Sequence, residues 1–225
     1  MLGNAAGTVP AQASFDGTNV LGMNLLVYTN AALAQYYPAF WPLFFTNCMI
    51  QGNGLIVAVG ANNRYGPDVT NLYAGCSFRP GTNSTSAGIL SHMGSIGFGK
   101  WGTSNSVLRI KMTGTNGVAG FDYDELALSQ NNNHTGGLVT SASDPVNHLA
   151  DCALVVDLSA LPSGLTLAGK TNTILTTWSD LSASYFSSVQ WINGTGTVNY
   201  LNQKVTLTGV STVPPVPRGT VVTIY

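Results

Sequence analysis

The chain has 225 residues, of which only 8% are charged, and its formal net charge is −1. Ordinary globular domains carry about 25% charged residues, so the surface of this protein is poor in charge. Hydrophobic residues make up 44% of the chain, whereas disordered chains combine low hydrophobicity with high net charge. The composition therefore excludes a disordered chain, and the length suffices to bury a sizeable core.

The shortage of charge has two explanations. One is a surface of Ser, Thr and Asn side chains, as in exported adhesins. The other is an assembly that covers much of the surface, because the core of a protein interface is depleted of charge. A near-neutral chain with a mean hydropathy of +0.19 lacks the charge that resists association. We therefore favour an assembly.

The beginning of the chain bears on where the protein is made. Residues 1–10 contain no basic segment followed by a continuous apolar run, so we expect no signal peptide. Proteins of virus and phage particles combine synthesis in the cytoplasm with a composition typical of extracellular proteins. We expect a virion protein made in the host cytoplasm, with an extracellular location as the alternative. The most apolar stretch, 36–50, is interrupted by Pro38 and Pro42, so no membrane span is expected.

Short strands separated by polar turns are predicted along the chain. Residues 1–19 are predicted to be an arm or loop, followed by a single β-domain over 20–225. Short helices are predicted over 31–36 and over 182–186, the second capped by Ser179 or Asp180. The predicted strands cover 20–28, 55–60, 72–78, 89–98, 152–158, 165–168, 205–210 and 220–225.

Two Asn-Gly pairs predict tight hairpins, because a hairpin turn requires positive φ angles. Asn116-Gly117 follows a strand pattern over 107–112. Asn193-Gly194 is predicted to join strands over 188–192 and 196–201.

The spacing of the strands predicts the fold class. Short strands with turns at roughly regular intervals indicate an antiparallel β-sandwich or barrel, with a jelly roll as one form. No repeat period, heptad or collagen triplet is detectable in the sequence. We therefore expect no fibre shaft.

Aromatic residues supply the candidate contact residues. The dense cluster over 36–45 fits a core, and would mark an interface if it were exposed. Tryptophan rings and the amides of 131–133 are suited to sugar binding. The interface or glycan candidates are Tyr37, Phe40, Trp41, Phe44, Phe45, Trp101, Trp178 and Trp191.

The three cysteines, Cys48, Cys76 and Cys152, are an odd number with no zinc-motif spacing. We interpret them as small buried side chains. One disulfide with a free thiol, or a bridge to a neighbouring subunit, is the alternative.

Acidic and histidine residues offer weak candidates for chemistry. Asp122, Asp124 and Glu125 indicate a solvated strand end or a paired surface cluster, with Ca²⁺ binding as the alternative. His148 lies near Asp151 and Cys152 in the sequence, but a tetrahedral metal site lacks a fourth ligand. No serine-hydrolase elbow or phosphate loop is present. We expect no catalytic residue, no metal and no cofactor, and hence no enzyme.

Scattered basic residues give no patch for nucleic acid. The sequence predicts a structural protein of a virus or bacteriophage particle, as a capsid, decoration or tail component. Its partners would be copies of itself and other particle proteins, with a host-surface glycan as a further partner. The alternative is a receptor- or carbohydrate-binding β-domain such as an adhesin or fibre tip, and a secreted hydrolase is a third hypothesis.

Overall fold

The computed structural model of the chain describes residues 14–16, 20–21, 44–52, 54–57, 70–81, 85–93, 95–129, 137–138, 143–144 and 146–214. Within these residues every regular element is a strand, and the strands form two sheets. The predicted all-β class is confirmed. The predicted helix over 31–36 lies outside the described residues. Residues 182–186 form a turn rather than a helix, in which the Ser182 N–H donates to Asp180 Oδ1 at 2.9 Å.

The strands are short over most of the chain. In order they are β1 Ser14–Asp16, β2 Val20–Leu21, β3 Phe44–Thr46, β4 Met49–Gly52, β5 Gly54–Val57, β6 Thr70–Ala74, β7 Ser77–Pro80, β8 Ile89–Met93, β9 Ser95–Trp101, β10 Ser104–Lys111, β11 Glu125–Ser129, β12 Cys152–Asp157, β13 Thr171–Asp180, β14 Ser188–Ile192 and β15 Gly194–Thr212. Strand β1 falls within the predicted arm.

Between β3 and β11 the chain winds through three parallel ladders. The first ladder contains β3, β6 and β9. The second contains β4, β7 and β10, and the third contains β5, β8 and β11. Each strand therefore pairs with the strand three places later, which is the connectivity of a parallel β-helix. Strands β12 and β14 continue the second ladder, and β13 and β15 continue the third. We call the whole winding the coil.

The ladders combine into two sheets around one core. The first two ladders, with β1, β2, β12 and β14, form a ten-stranded sheet that curls into a half-barrel. The third ladder, with β13 and β15, forms a five-stranded sheet. One hydrophobic cluster contains residues of both sheets, among them Tyr73 from the first and Leu126 from the second.

The prediction of a purely antiparallel fold is wrong. Among the named strands, antiparallel pairing is confined to β9 with β10 and β13 with β15, and all other pairs are parallel. A sandwich or barrel is compatible with two such sheets, but the strand directions are mixed. Short strands and polar turns are common to both arrangements, so they do not determine direction.

Sharp corners divide the first ladder from the second. Each corner contains a residue in the left-handed region, Asn47 (φ 51°), Gly75 (φ 62°) or Gly102 (φ 61°). A Cβ on Gly75 would lie 2.6 Å from Cβ of Trp101. Glycine is required at that position, because it adopts a positive φ without strain and has no Cβ to contact Trp101. The corner at Gly75 therefore divides the predicted strand over 72–78 into β6 and β7.

One of the two predicted hairpins is wrong. At Asn116-Gly117 the chain does turn back, because the Thr113 N–H donates to the Asp122 carbonyl at 2.7 Å and Gly117 has a φ of 86°. At Asn193 (φ 59°) the chain turns a corner instead. Strand β14 joins β12 and β15 joins β13, so the two do not form a hairpin with each other.

All three cysteines lie in one column where the second ladder begins. The strand register places Cys48, Cys76, Ser106, Cys152 and Ser187 next to one another in successive turns. Their side chains bind carbonyls near the corner: Cys48 Sγ contacts the Thr46 carbonyl at 3.2 Å, and Cys76 Sγ contacts that of Phe45 at 3.3 Å. The three cysteines are buried and form no disulfide, which confirms the interpretation as small buried side chains. Burial raises the pKa of the Cys76 thiol to about 12.

Ser106 is the hydroxyl member of this column, and its replacement tests the column. Its buried Oγ accepts from the Cys76 N–H at 3.2 Å and donates to the Tyr73 carbonyl at 2.8 Å. We expect Ser106→Ala to lower the free energy of unfolding by about 1–3 kcal/mol, because the Cys76 N–H then loses its buried acceptor. Ser106→Cys should cost less, since a thiol already fills the neighbouring positions. Urea unfolding followed by tryptophan fluorescence measures both, and equal losses would contradict this role.

Candidate interaction surface

The second ladder ends at β14, where an inward-facing apolar position is exposed. Inward positions of successive turns are occupied by Ile50, Phe78, Leu108 and Leu154, all with 0–1% exposure. Val189 continues the same column, paired with Leu154, yet it is 39% exposed. The cysteine column is likewise buried up to Cys152 and exposed at its last member, Ser187. Among the positions of these two columns whose burial the structure describes, the exposed ones therefore lie at the β14 end.

Strand β14 also has a free edge. In the part of the chain that the structure describes, β14 pairs only with β12. Proteins commonly protect such edges with charged residues, Pro or bulges, because an unpaired edge is a template for another strand. The sequence of β14 is Ser-Val-Gln-Trp-Ile, and no charged residue occurs from Leu181 to Gln203. This edge therefore carries no charge that would repel a partner.

Two further exposed apolar residues belong to the same segment of chain. Tyr185 precedes β14 and Leu201 lies in β15, and both are exposed. We call the free edge of β14, together with Tyr185 and Val189, the terminal surface. Tyr185 and Val189 were not predicted from the sequence, although the uncharged run from Leu181 to Gln203 is a usable signal.

Hydrogen bonds and ring contacts fix the terminal surface in place. Asn147 binds the Tyr185 backbone twice, at 2.9 Å from Nδ2 to its carbonyl and 2.9 Å from its N–H to Oδ1. The rings of Tyr185 and Tyr200 meet edge to face at 4.9 Å. The Phe186 N–H donates to the Tyr200 hydroxyl at 3.3 Å, and burial raises the pKa of Tyr200. A surface held in this way loses little conformational entropy when it binds a partner.

Strand β15 closes the second sheet by folding back on itself at Gln203, whose φ is 63°. Its two halves meet where Asn199 Nδ2 donates to Thr208 Oγ1 at 2.9 Å. Thr195 and Ser211 meet through their hydroxyls at 3.2 Å, although a straight strand would separate them by roughly 50 Å. The inner half pairs with β13, as at Val205 and Leu175, so the outer half reinforces the last turn of the coil.

The aromatic candidates from the sequence include residues outside the described part of the chain and a residue of the core. Tyr37, Phe40 and Trp41, and the side chain of Phe44, lie outside what is described. Phe45 is buried and stacks on Tyr73 at 4.6 Å, so it belongs to the core.

The three tryptophans occupy different strands. Trp101 ends β9 and is 48% exposed, and Trp178 in β13 is 46% exposed. Trp191 lies in β14, where it is half-buried and packs against the core. Of the predicted candidates, Trp191 alone is part of a strand in the terminal surface.

The interpretation of the acidic cluster as solvated is wrong. Asp122 and Asp124 are buried because they precede β11 in a turn that folds onto the coil. Asp122 Oδ2 accepts from the Val118 N–H at 2.8 Å. Asp124 pairs with Lys111 Nζ at 3.1 Å, and burial raises its pKa to about 6 although Lys111 favours the charged form. Glu125 is half-buried and accepts from Thr176 at 3.1 Å.

The residues near His148 are likewise engaged in structure. Asp151 pairs with Lys100 at 3.4 Å and accepts from Ser143. Cys152 is buried, and burial raises the pKa of its thiol. Among the residues described, no three His, Cys, Asp or Glu side chains are placed to hold a metal ion.

Comparison with protein-family models, curated proteins and solved structures gives no match for this chain. The described residues contain no helix long and apolar enough to cross a membrane. The terminal surface and the composition of the chain are therefore the observations that bear on function.

Proposed function

We propose that the protein is a structural component of a virus or bacteriophage particle, as a capsid, decoration or tail protein, and that it acts by packing against copies of itself and other particle proteins. The terminal surface is the observation that carries this proposal. It is held by hydrogen bonds, is formed by a segment without charged residues and exposes the inward-facing Val189, on a chain with 8% charged residues. Such a surface gains free energy when it is covered, at about 25 cal/mol per Å² of apolar area.

Two further features support a structural role in the virion over catalysis. Two buried acidic side chains are engaged in ion pairs within the fold, Asp124 with Lys111 and Asp151 with Lys100. The coil provides stacked turns whose inward residues pack from one turn to the next, so that a neighbouring subunit can continue the same packing at an open end.

The solution mass of the purified chain tests this proposal. We expect size-exclusion chromatography with light scattering to give species heavier than the 23.5 kDa chain, with closed oligomers, tubes or shells in negative-stain images. The mass should not change with reductant, because Cys48, Cys76 and Cys152 are buried and form no disulfide. A monodisperse monomer at high concentration, with no affinity for any particle component, would contradict the proposal.

A stable monomer would favour the second candidate function, carbohydrate binding. The observation that supports this candidate is the exposure of Trp101 and Trp178, whose rings offer apolar faces of the kind that stack on sugars. A glycan array distinguishes the two candidates, because binding that is lost on replacing these tryptophans would indicate a sugar-binding domain.

A further inference from the structure

We propose that the terminal surface binds a second copy of this chain, with β14 of the two copies paired antiparallel about a two-fold axis at Gln190. This inference rests on the proposed function, of which it specifies one subunit contact. Strand β14 spans Ser188–Ile192, so an axis at its central residue pairs the greatest number of residues. A two-fold contact of this kind closes on itself and gives a dimer.

The backbone edge supplies the first argument. The N–H and C=O groups of β14 that point away from β12 have no strand partner within the described residues. Pairing with a second β14 would satisfy them and extend the half-barrel sheet from one copy into the next. Strand addition at a free edge is a common mode of protein recognition.

The side chains supply the second argument, because β14 is complementary to itself. About an axis at Gln190, Val189 of one copy lies opposite Trp191 of the partner subunit, and both are inward positions of the coil. The pairing would cover the exposed face of Val189 and continue the core across the axis. Ser188 lies opposite Ile192 of the partner subunit, and Gln190 meets its own counterpart. No like charges are opposed, and opposed like charges are what destabilise paired strands.

Another exposed apolar group provides a matched control. Val118 and Phe121 lie in the turn before β11 and are exposed, but they belong to no strand and present no free edge. Lys170 lies beside this turn, with its Cδ 4.0 Å from the position of a Cβ on Gly117. A charge placed on Phe121 should therefore leave the dimer unchanged.

A cross-link tests the geometry of the pairing. In the full chain carrying Gln190→Cys, mild air oxidation should produce a disulfide-linked dimer on a non-reducing gel. The same treatment of a chain with Thr103→Cys, an exposed corner position, should leave monomers. The three native thiols are buried and do not interfere. A monomer of the Gln190→Cys chain in which the introduced thiol is shielded from a thiol reagent would indicate that another segment of the chain covers β14, and would overturn the proposal.

A charge at the surface tests its energetics. We expect Val189→Lys to weaken the dimer at least tenfold by light scattering, with Phe121→Lys unchanged and both variants matching the parent in circular dichroism. A dimer that is indifferent to Val189→Lys and does not cross-link when it carries Gln190→Cys would overturn the inference. Large assemblies unaffected by Val189→Lys would contradict only the inference. A cross-linked dimer with no larger assembly and no affinity for particle components would contradict only the proposed function.

Discussion

Replacing Asp124 by alanine is expected to lower the free energy of unfolding by about 3–5 kcal/mol, the usual cost of leaving a buried charge without its partner. Lys111 Nζ lies 3.1 Å from the Asp124 carboxylate, and the side chains are 12% and 1% exposed. The carboxylate also accepts from the Gly88 N–H at 2.9 Å and the Lys111 N–H at 2.8 Å. The substitution therefore leaves an ammonium group and two N–H donors short of an acceptor. Urea unfolding at pH 7 measures the loss.

The more exposed ion pair gives the control for this prediction. Lys100 pairs with Asp151 at 3.4 Å but is 45% exposed, and Asp151 keeps its hydrogen bonds from Ser143 when Lys100 is removed, so Lys100→Ala should cost less than Asp124→Ala. Asparagine should not rescue position 124, because both carboxylate oxygens accept hydrogen bonds there and an amide has only one oxygen. Equal losses for Lys100→Ala and Asp124→Ala would contradict the view that burial sets the cost.

The same carboxylate makes stability depend on pH. Burial raises the pKa of Asp124 from 3.8 to about 6, so the folded chain holds this proton more tightly than the unfolded chain. The resulting stabilisation is complete below pH 4 and is lost as the pH rises through 6, by up to roughly 3 kcal/mol. Asp124→Asn should remove this part of the pH dependence when unfolding is measured between pH 4 and 7.

Local structure could be predicted from the sequence where a single run of residues determines it. The strands at 55–57 and 152–157 fall on apolar runs, because such runs are typical of strands in a parallel sheet. Asn193 does take the positive φ that its Asn-Gly pair predicts. The strand with which the next strand pairs could not be predicted, because a left-handed residue occurs in both hairpin turns and corners.

The winding of the coil could not be predicted, because its turns differ in length. Strands of the second ladder begin at residues 49, 77, 104, 152 and 188, so the loops between turns leave no constant period in the sequence. The missing period was therefore a poor guide to the architecture. The column of Cys48, Cys76 and Cys152 shows the repeat that the sequence conceals, since equivalent corner positions take the same small residue type at unequal spacings.

The terminal surface lay beyond sequence reasoning for a related reason. Val189 has the same apolar character as its buried neighbours, and its exposure depends on how many turns follow it. Asp124 posed the opposite problem, since a carboxylate in a polar stretch resembles a solvated one until the turn that buries it is known. In both cases burial is set by contacts distant in sequence.

The largest effect on the core is expected at Leu108. Its side chain is fully buried in the column between Phe78 and Leu154, which are themselves buried on either side. Leu108→Ala should lower the free energy of unfolding by about 2–5 kcal/mol, because the stacked turns cannot close the cavity. Leu201→Ala makes the same change at a residue that is exposed in β15 and should cost less than about 1 kcal/mol.

Val189 lies in the same column as Leu108. If the terminal surface pairs two copies, the cost of Val189→Ala should increase with protein concentration, whereas that of Leu108→Ala should not. Equal losses for Leu108→Ala and Leu201→Ala in urea unfolding would contradict the placement of Leu108 in the core and of Leu201 at the surface.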